Sequence, residues 1–327
     1  MRIGKRIAAF ATVGLAMWAT SALAEDLKFA NYMAATHPYV GGTFEPFAKS
    51  VEQKTDGKLK VTLYNGGELG SGPAEQYSRV VDDVAELAVS LPGYTSSKFP
   101  LTLVTELPGV IDEDTGTKTI WNHIDLFQSE FRRVKLVSLW SSAENILYTR
   151  DEAVKSPDDI KGMKIRVPSR NTGKLVEAWG GTPVSMPVSE IYNAMQTGVI
   201  DGAMIDGTAT RAFKLGEVAK YLTVGMETTI SPFYIIMNRD AFENLTDDEK
   251  SAIESAGRKA SELGHEVQVT EAKKGIEAFA DMDGKTLIRL SDDQAAAFDK
   301  ISEKVTKQVV QQQGDQAEKI VDALGSK

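Results

Sequence analysis

The stretch that most limits the fold begins at Thr246. Thr246-Asp247-Asp248-Glu249 is a capping box, in which the threonine hydroxyl and the glutamate carboxylate satisfy each other's backbone N–H groups at a helix start. Ile253, Ala256, Ala260, Leu263, Val267, Ile276 and Phe279 then keep near-helical spacing. Some thirty residues at ~1.5 Å rise make a helix of ~45–50 Å, longer than a single medium-sized domain. The spacing therefore predicts two domains sharing one helix, with Gly264 and Gly275 as places for a bend. Ser291-Asp292-Asp293-Gln294 opens a last helix holding Phe298, Ile301 and Val305.

The rest alternates strands with helices. Leu27–Asn31, Leu59–Leu63 and Glu86–Leu91 read as strands, separated by helices around Phe44–Val51 and Tyr77–Leu87. That rhythm predicts a mostly parallel sheet covered by helices, with ligand-facing loops at the carboxyl ends of its strands. Those loops nominate His37 and Tyr94. Further strands are expected over Lys135–Trp140, Ile146–Thr149 and Pro232–Asn238, with a first passage between domains at Ser141–Asn145, and a helix over Thr208–Tyr221.

In Met163-Lys164-Ile165-Arg166-Val167-Pro168 apolar and polar residues alternate, the mark of a half-buried strand with Arg166 off the apolar face. Spacing alone allows two roles for that side chain. It is a solvated surface arginine, or a planar charged fork that grips a carboxylate through two parallel hydrogen bonds. Ser189 can cap the next helix, Gly198 suits its left-handed end, and a short strand follows over Val199–Ile205.

The run Lys161–Pro168, followed by Gly181-Thr182-Pro183, Met186-Pro187, Ser189-Glu190-Ile191-Tyr192, Ala194-Met195-Gln196 and Gly198–Gly202, resembles the solute-binding subunit, of the dicarboxylate-binding-protein type, of TRAP (tripartite ATP-independent periplasmic) transporters. The resemblance implies an α/β, two-domain periplasmic binding protein fold (type II-like), with a cleft between the domains and the long helix spanning both. It also implies that Arg166 holds the carboxylate of the captured solute. Asn145 falls where sialic-acid-binding relatives carry a second arginine, and Ile205-Asp206 where they carry asparagine and proline. Those departures point to a smaller monocarboxylate, aromatic, hydroxy or 2-oxo, with Asn145 donating to the carboxylate and Tyr234, Met204 and Ile205 as walls. The expected divisions are a signal peptide over 1–24, a first domain of 25–142 and 231–270, and a second of 143–230 and 271–327.

Composition narrows the function. Net charge is −9, and −12 once residues 1–24 are set aside, because these hold Arg2, Lys5 and Arg6 and no acid. So acidic a chain repels nucleic acid, and any anion site in it has to be built locally. The basic start, the apolar run Ile7–Trp18 and Ala22-Leu23-Ala24 read as a cleavable secretory signal, hence a periplasmic protein not inserted in the membrane. With zero cysteines there are no disulfides or thiolate metal sites. Four Asp-Gly pairs read as turns, no metal or cofactor is called for, and the Gly-rich loop Asn65–Gly72 lacks phosphate-loop spacing. His37, His123 and His265 have no motif partners, which argues against an enzyme. The expected function is capture of a small organic-acid anion and its delivery to TRAP membrane subunits. The alternatives are an ABC-type periplasmic binding protein and an enzyme acting on a small organic acid.

Overall fold

The computed structural model describes residues 24–70 and 72–325; the expected signal peptide thus lies outside the described residues except for Ala24. Among the described residues eleven strands build two sheets: β1 (Glu25–Ala30), β2 (Leu59–Tyr64), β3 (Leu87–Ser90), β4 (Val134–Glu144), β5 (Ile146–Thr149), β6 (Lys164–Val167), β7 (Thr182–Ser185), β8 (Gly202–Ile205), β9 (Tyr221–Val224), β10 (Ile230–Asn238) and β11 (Thr286–Arg289). The first sheet runs β2-β1-β3-β10-β4 and the second β11-β9-β5-β8-β6-β7. The chain leaves the first sheet at the single residue Asn145, between β4 and β5, and returns to it through β10.

The sheets are mixed rather than mostly parallel. β1 with β2 and β3, β6 with β7 and β8, and β9 with β11 are parallel. Every antiparallel pair involves β10 or β5. These are the strands entered at the first two crossings between the sheets, whereas β11, entered at the third, pairs parallel with β9; the local strand-helix rhythm carries no trace of the crossings. All nine residues of β10 are buried. Its Pro232 has no N–H to give the ladder, and the register slips there, between Ile230 and Pro232, as a proline inside a strand requires.

The long helix is uninterrupted from Asp247 to Ala280, 34 residues, with both bonds of its capping box formed. Its glycines admit neighbours instead of breaking it. A Cβ on Gly257 would lie 2.2 Å from the Val137 carbonyl oxygen, and one on Gly264 2.8 Å from the Trp140 ring. A Cβ on Gly275 would lie 1.9 Å from the Gly207 carbonyl oxygen. The helix is therefore pressed against β4 of the first sheet and against the loop after β8 of the second, while Ile253 and Phe279 enter separate cores.

Two further expectations change. Thr208–Tyr221 holds two short helical turns, Ala209–Ala212 and Leu215–Val218, parted at Lys214, whose φ is 57°, and Tyr221 begins β9. The helix expected to be capped by Ser189 begins instead at Val188, after Pro187, and has no capping side chain of its own. The C-terminal helix Asp315–Leu324 packs Ala317, Ile320 and Leu324 into a cluster with Val104 and Leu107, from the loops after β3. Among the described residues no helix is long and apolar enough to cross a membrane.

Candidate functional site

Between the sheets lies a hollow of about 420 Å³ including its mouth, with about 30 Å³ open to the centres of water molecules. Loops after β1 and β3 supply Tyr32, His37, Tyr39 and Tyr94, the second sheet supplies Arg166 and Ile205, and the segment after β8 supplies Asp206 and Phe213. Asn145 enters from the first crossing, Ser231 and Phe233 from β10, and Gln268 from the long helix. Among the described residues no group of histidines and carboxylates could hold a metal ion.

Arg166 is 1% exposed, wholly buried rather than on the wet face of a half-buried strand. Its Nε donates to the Met186 carbonyl (3.0 Å), Nη1 to the Met204 carbonyl (3.1 Å) and Nη2 to the Tyr94 hydroxyl (3.2 Å). A guanidinium has five N–H groups, so one hydrogen on each terminal nitrogen is unspent. No carboxylate of the described residues lies within 4.0 Å of it. Burial lowers its pKa, which the neighbouring Tyr94, Tyr32 and Asp206 oppose; an arginine keeps its charge regardless.

Tyr94 binds the two sheets together. Its hydroxyl also accepts the Val188 N–H (3.1 Å), satisfying the start of the helix Val188–Thr197 in place of a cap. With both accepting positions used, it still has its own hydrogen to donate. Unspent guanidinium hydrogens, a phenolic donor and a helix N-terminus converge here, the local anion site that an acidic protein needs.

His37 accepts the Tyr39 N–H at Nδ1 (3.2 Å), which leaves its proton on Nε2. Burial lowers its pKa to about 4, so the ring is a neutral donor, tilted against Tyr39 and Phe213 at centroid distances of 5.2 and 5.5 Å. Asp206 accepts the Thr208 N–H and hydroxyl at Oδ1 (2.9 and 2.6 Å). Burial pushes it up to about 6 against those bonds.

Asn145 does not present the expected donor. Its Nδ2 donates to Thr229 Oγ1 (2.9 Å) and Ser231 Oγ (3.1 Å), so both amide hydrogens are spent and Oδ1, an acceptor, is what remains. Met204 and Tyr234, expected as walls, are not among the lining residues. Both side chains are fully buried in the apolar cluster on the other side of their strands, Tyr234 with its ring 5.5 Å from Phe99. The cause is parity: successive strand side chains point to opposite faces, so Ile205 faces the hollow and Met204 does not, and Ser231 and Phe233 face it while Tyr234 does not.

Sequence reasoning passed over Tyr32, Tyr39, Phe213, Ser231, Phe233 and Gln268. Gln268 had a readable signal. It interrupts a buried face of small residues, Ser261, Gly264, Ala272 and Gly275, at helical spacing. It is 2% exposed, and its amide forms no side-chain hydrogen bond among the described residues.

Residues 29–313 match the family described as bacterial extracellular solute-binding protein, family 7. A solute-binding protein of Albidiferax ferrireducens is 28% identical over 294 residues, 84% of this chain and 86% of its own. The crystal structure of a marine-metagenome TRAP solute binding protein specific for aromatic acid ligands, in complex with 3-hydroxybenzoate, is 26% identical. It has a TM-score of 0.83 over 93% of this chain and 97% of that one. An open complex of a TRAP periplasmic solute binding protein from Desulfovibrio salexigens is 27% identical, with a TM-score of 0.74 over 92% of this chain and 95% of that one.

Proposed function

This chain belongs to the bacterial extracellular solute-binding proteins of family 7 and is a solute receptor of the TRAP type rather than an enzyme, and we propose that it captures a small monocarboxylate by closing its two lobes with Arg166 against the carboxylate. The observation that carries this reading is the buried guanidinium with two unspent N–H groups and no acidic partner among the described residues. Burying a charge without its partner is costly, so a carboxylate that pairs with it favours the closed arrangement and draws the population toward it.

The lobes in this reading are 25–142 with 231–270, and 143–230 with 271–327, moving about Asn145, β10 and the long helix. Tyr94 against Arg166 and His37 against Phe213 are contacts between the first and second sheets that hold the closed form. The aromatic walls and the small hollow support a compact, ring-sized or smaller acid, and the 3-hydroxybenzoate of the metagenome relative has that size. Family members are periplasmic, and in this reading the chain reaches the periplasm through a signal cleaved after Ala24 and hands its solute to TRAP membrane subunits.

A thermal-shift screen of organic acids, with mass spectrometry of the recovered ligand, tests both capture and the absence of turnover. Arg166→Ala is expected to abolish the shift while leaving a folded protein. An undiminished shift would remove Arg166 from the site.

A further inference from the structure

Behind Asn145 a file of buried hydroxyls leads away from the hollow. Asn145 Nδ2 reaches Thr229 Oγ1 at 2.9 Å, Thr229 Oγ1 meets Thr172 Oγ1 at 3.0 Å, Thr172 Oγ1 meets Ser169 Oγ at 3.1 Å, and Ser169 Oγ donates to Glu106 Oε1 at 2.7 Å. All five residues are at most 4% exposed. Glu106 comes from the loop after β3, Ser169 and Thr172 from the start of the helix after β6, and Thr229 from the approach to β10, so the file joins both sheets and the crossing.

With Ser169 donating to Glu106 Oε1, the file has one sense. An amide nitrogen can only donate, so Thr229 receives from Asn145 and passes its own hydrogen to Thr172, and Thr172 passes its hydrogen to Ser169. Ser169 delivers to a carboxyl with no basic residue within 4.0 Å among the described residues. Every hydroxyl gives its one hydrogen away from the hollow. The amide is therefore held with its hydrogens inward and Oδ1 left for the guest. Asp206 adds a second acceptor: Oδ1 takes the Thr208 N–H and hydroxyl, and no other residue among those described donates to Oδ2.

We infer that Glu106 is a positioning residue which, through Ser169, Thr172 and Thr229, turns the carbonyl oxygen of Asn145 toward the solute, so that the site selects carboxylates that also carry a hydroxyl or N–H donor. This rests on the reading that Arg166 holds the carboxylate, and it narrows the guest at the other end. An acid whose second group is a ketone, or which has none, faces Asn145 Oδ1 and Asp206 Oδ2 with no hydrogen to offer, and a site built for a hydrogen bond discriminates strongly against an analogue that lacks it.

The test is calorimetric titration with pairs differing at one group: lactate against pyruvate, mandelate against phenylglyoxylate, 3-hydroxybenzoate against benzoate. In the unaltered protein the donor-bearing member of a binding pair is expected to bind at least about tenfold more tightly. Thr172→Val cuts the file with little change of shape, and Thr229→Val cuts it one link nearer the hollow. Either should collapse that ratio toward one, because the amide is then free to turn. Glu106→Gln keeps an accepting oxygen and should preserve the ratio. A ratio near one in the unaltered protein, or an undiminished ratio in both valine variants, overturns the inference while leaving Arg166 in place. If no acid of any pair binds, the carboxylate reading fails and this one with it.

Discussion

Replacing Gly275 with alanine puts two effects of opposite sign into competition. Within a helix the change should stabilise by about 1 kcal/mol, since alanine loses less backbone freedom than glycine. Here the added Cβ would sit 1.9 Å from the Gly207 carbonyl oxygen and 2.8 Å from its carbon, where ordinary contact begins near 3.4 Å. Helix and loop must part by about 1.5 Å, and overpacking of this kind costs on the order of 1–3 kcal/mol or more. Because the blocking atoms are backbone, no side chain can swing aside, and we expect a net loss of about 2 kcal/mol. Melting followed by circular dichroism should show this as a fall of roughly 3–8 °C. Gly207 stands between Asp206 and Thr208, both lining the hollow, so solute affinity should drop as well, by about tenfold. Gly257→Ala is the matched control: its Cβ would lie 2.2 Å from the Val137 carbonyl oxygen, which is remote from the hollow. It should lose similar stability and keep its affinity. A Gly275→Ala protein as stable as the parent, or one that binds solute equally well, would refute the idea that this contact sets the position of the Asp206 loop.

Tyr94→Phe removes the hydroxyl shared by Arg166 and Val188, and leaving those donors unsatisfied should weaken solute binding about tenfold, mainly through faster dissociation; stopped-flow release of bound solute would measure it, and an unchanged rate would exclude the phenol from closure. Burial pushes Glu106 up to about 8 and Glu144 to about 7, while an unfolded glutamate titrates near 4.5. Between those values the folded form keeps protons that the unfolded chain has released, so stability should decline as pH rises from about 4.5 to 8. Glu106→Gln should then be more stable than the parent at pH 8, by on the order of 1–3 kcal/mol, with the gap closing below pH 4.5. Denaturant titrations at the two pH values decide this, and a gap independent of pH would contradict it.

What was legible in the sequence was local. The capping boxes at Thr246 and Ser291 involve residues three apart, and both form. Alternation located β6, and loop logic picked out His37 and Tyr94, which with Arg166 line the hollow. What failed needed information from elsewhere in the chain. The strand containing Tyr234 was recognised, but which parity faces the hollow depends on how β10 lies against β3 and β4, so Tyr234 was chosen where Ser231 and Phe233 belong. The mixed sheets depend on where the chain changes lobes. Ser189 carries the composition of a cap, yet the helix starts one residue before it, and the N–H of its first residue, Val188, is met by Tyr94, 94 residues away. Asn145 lines the hollow as expected but with its amide hydrogens spent, because Thr229 and Ser231, 84 and 86 residues further on, accept both of them.

The order of strands in the first sheet also governs how the chain can be made. β3 ends at Ser90, yet the neighbour that joins it to β4 is β10, which begins at Ile230; the second sheet waits longer still for its edge strand, which starts at Thr286. A polypeptide emerging from its N-terminus therefore has no stopping point at which half a molecule is complete. Contacts between such distant segments form slowly, so neither sheet can set until the tail of the chain is available.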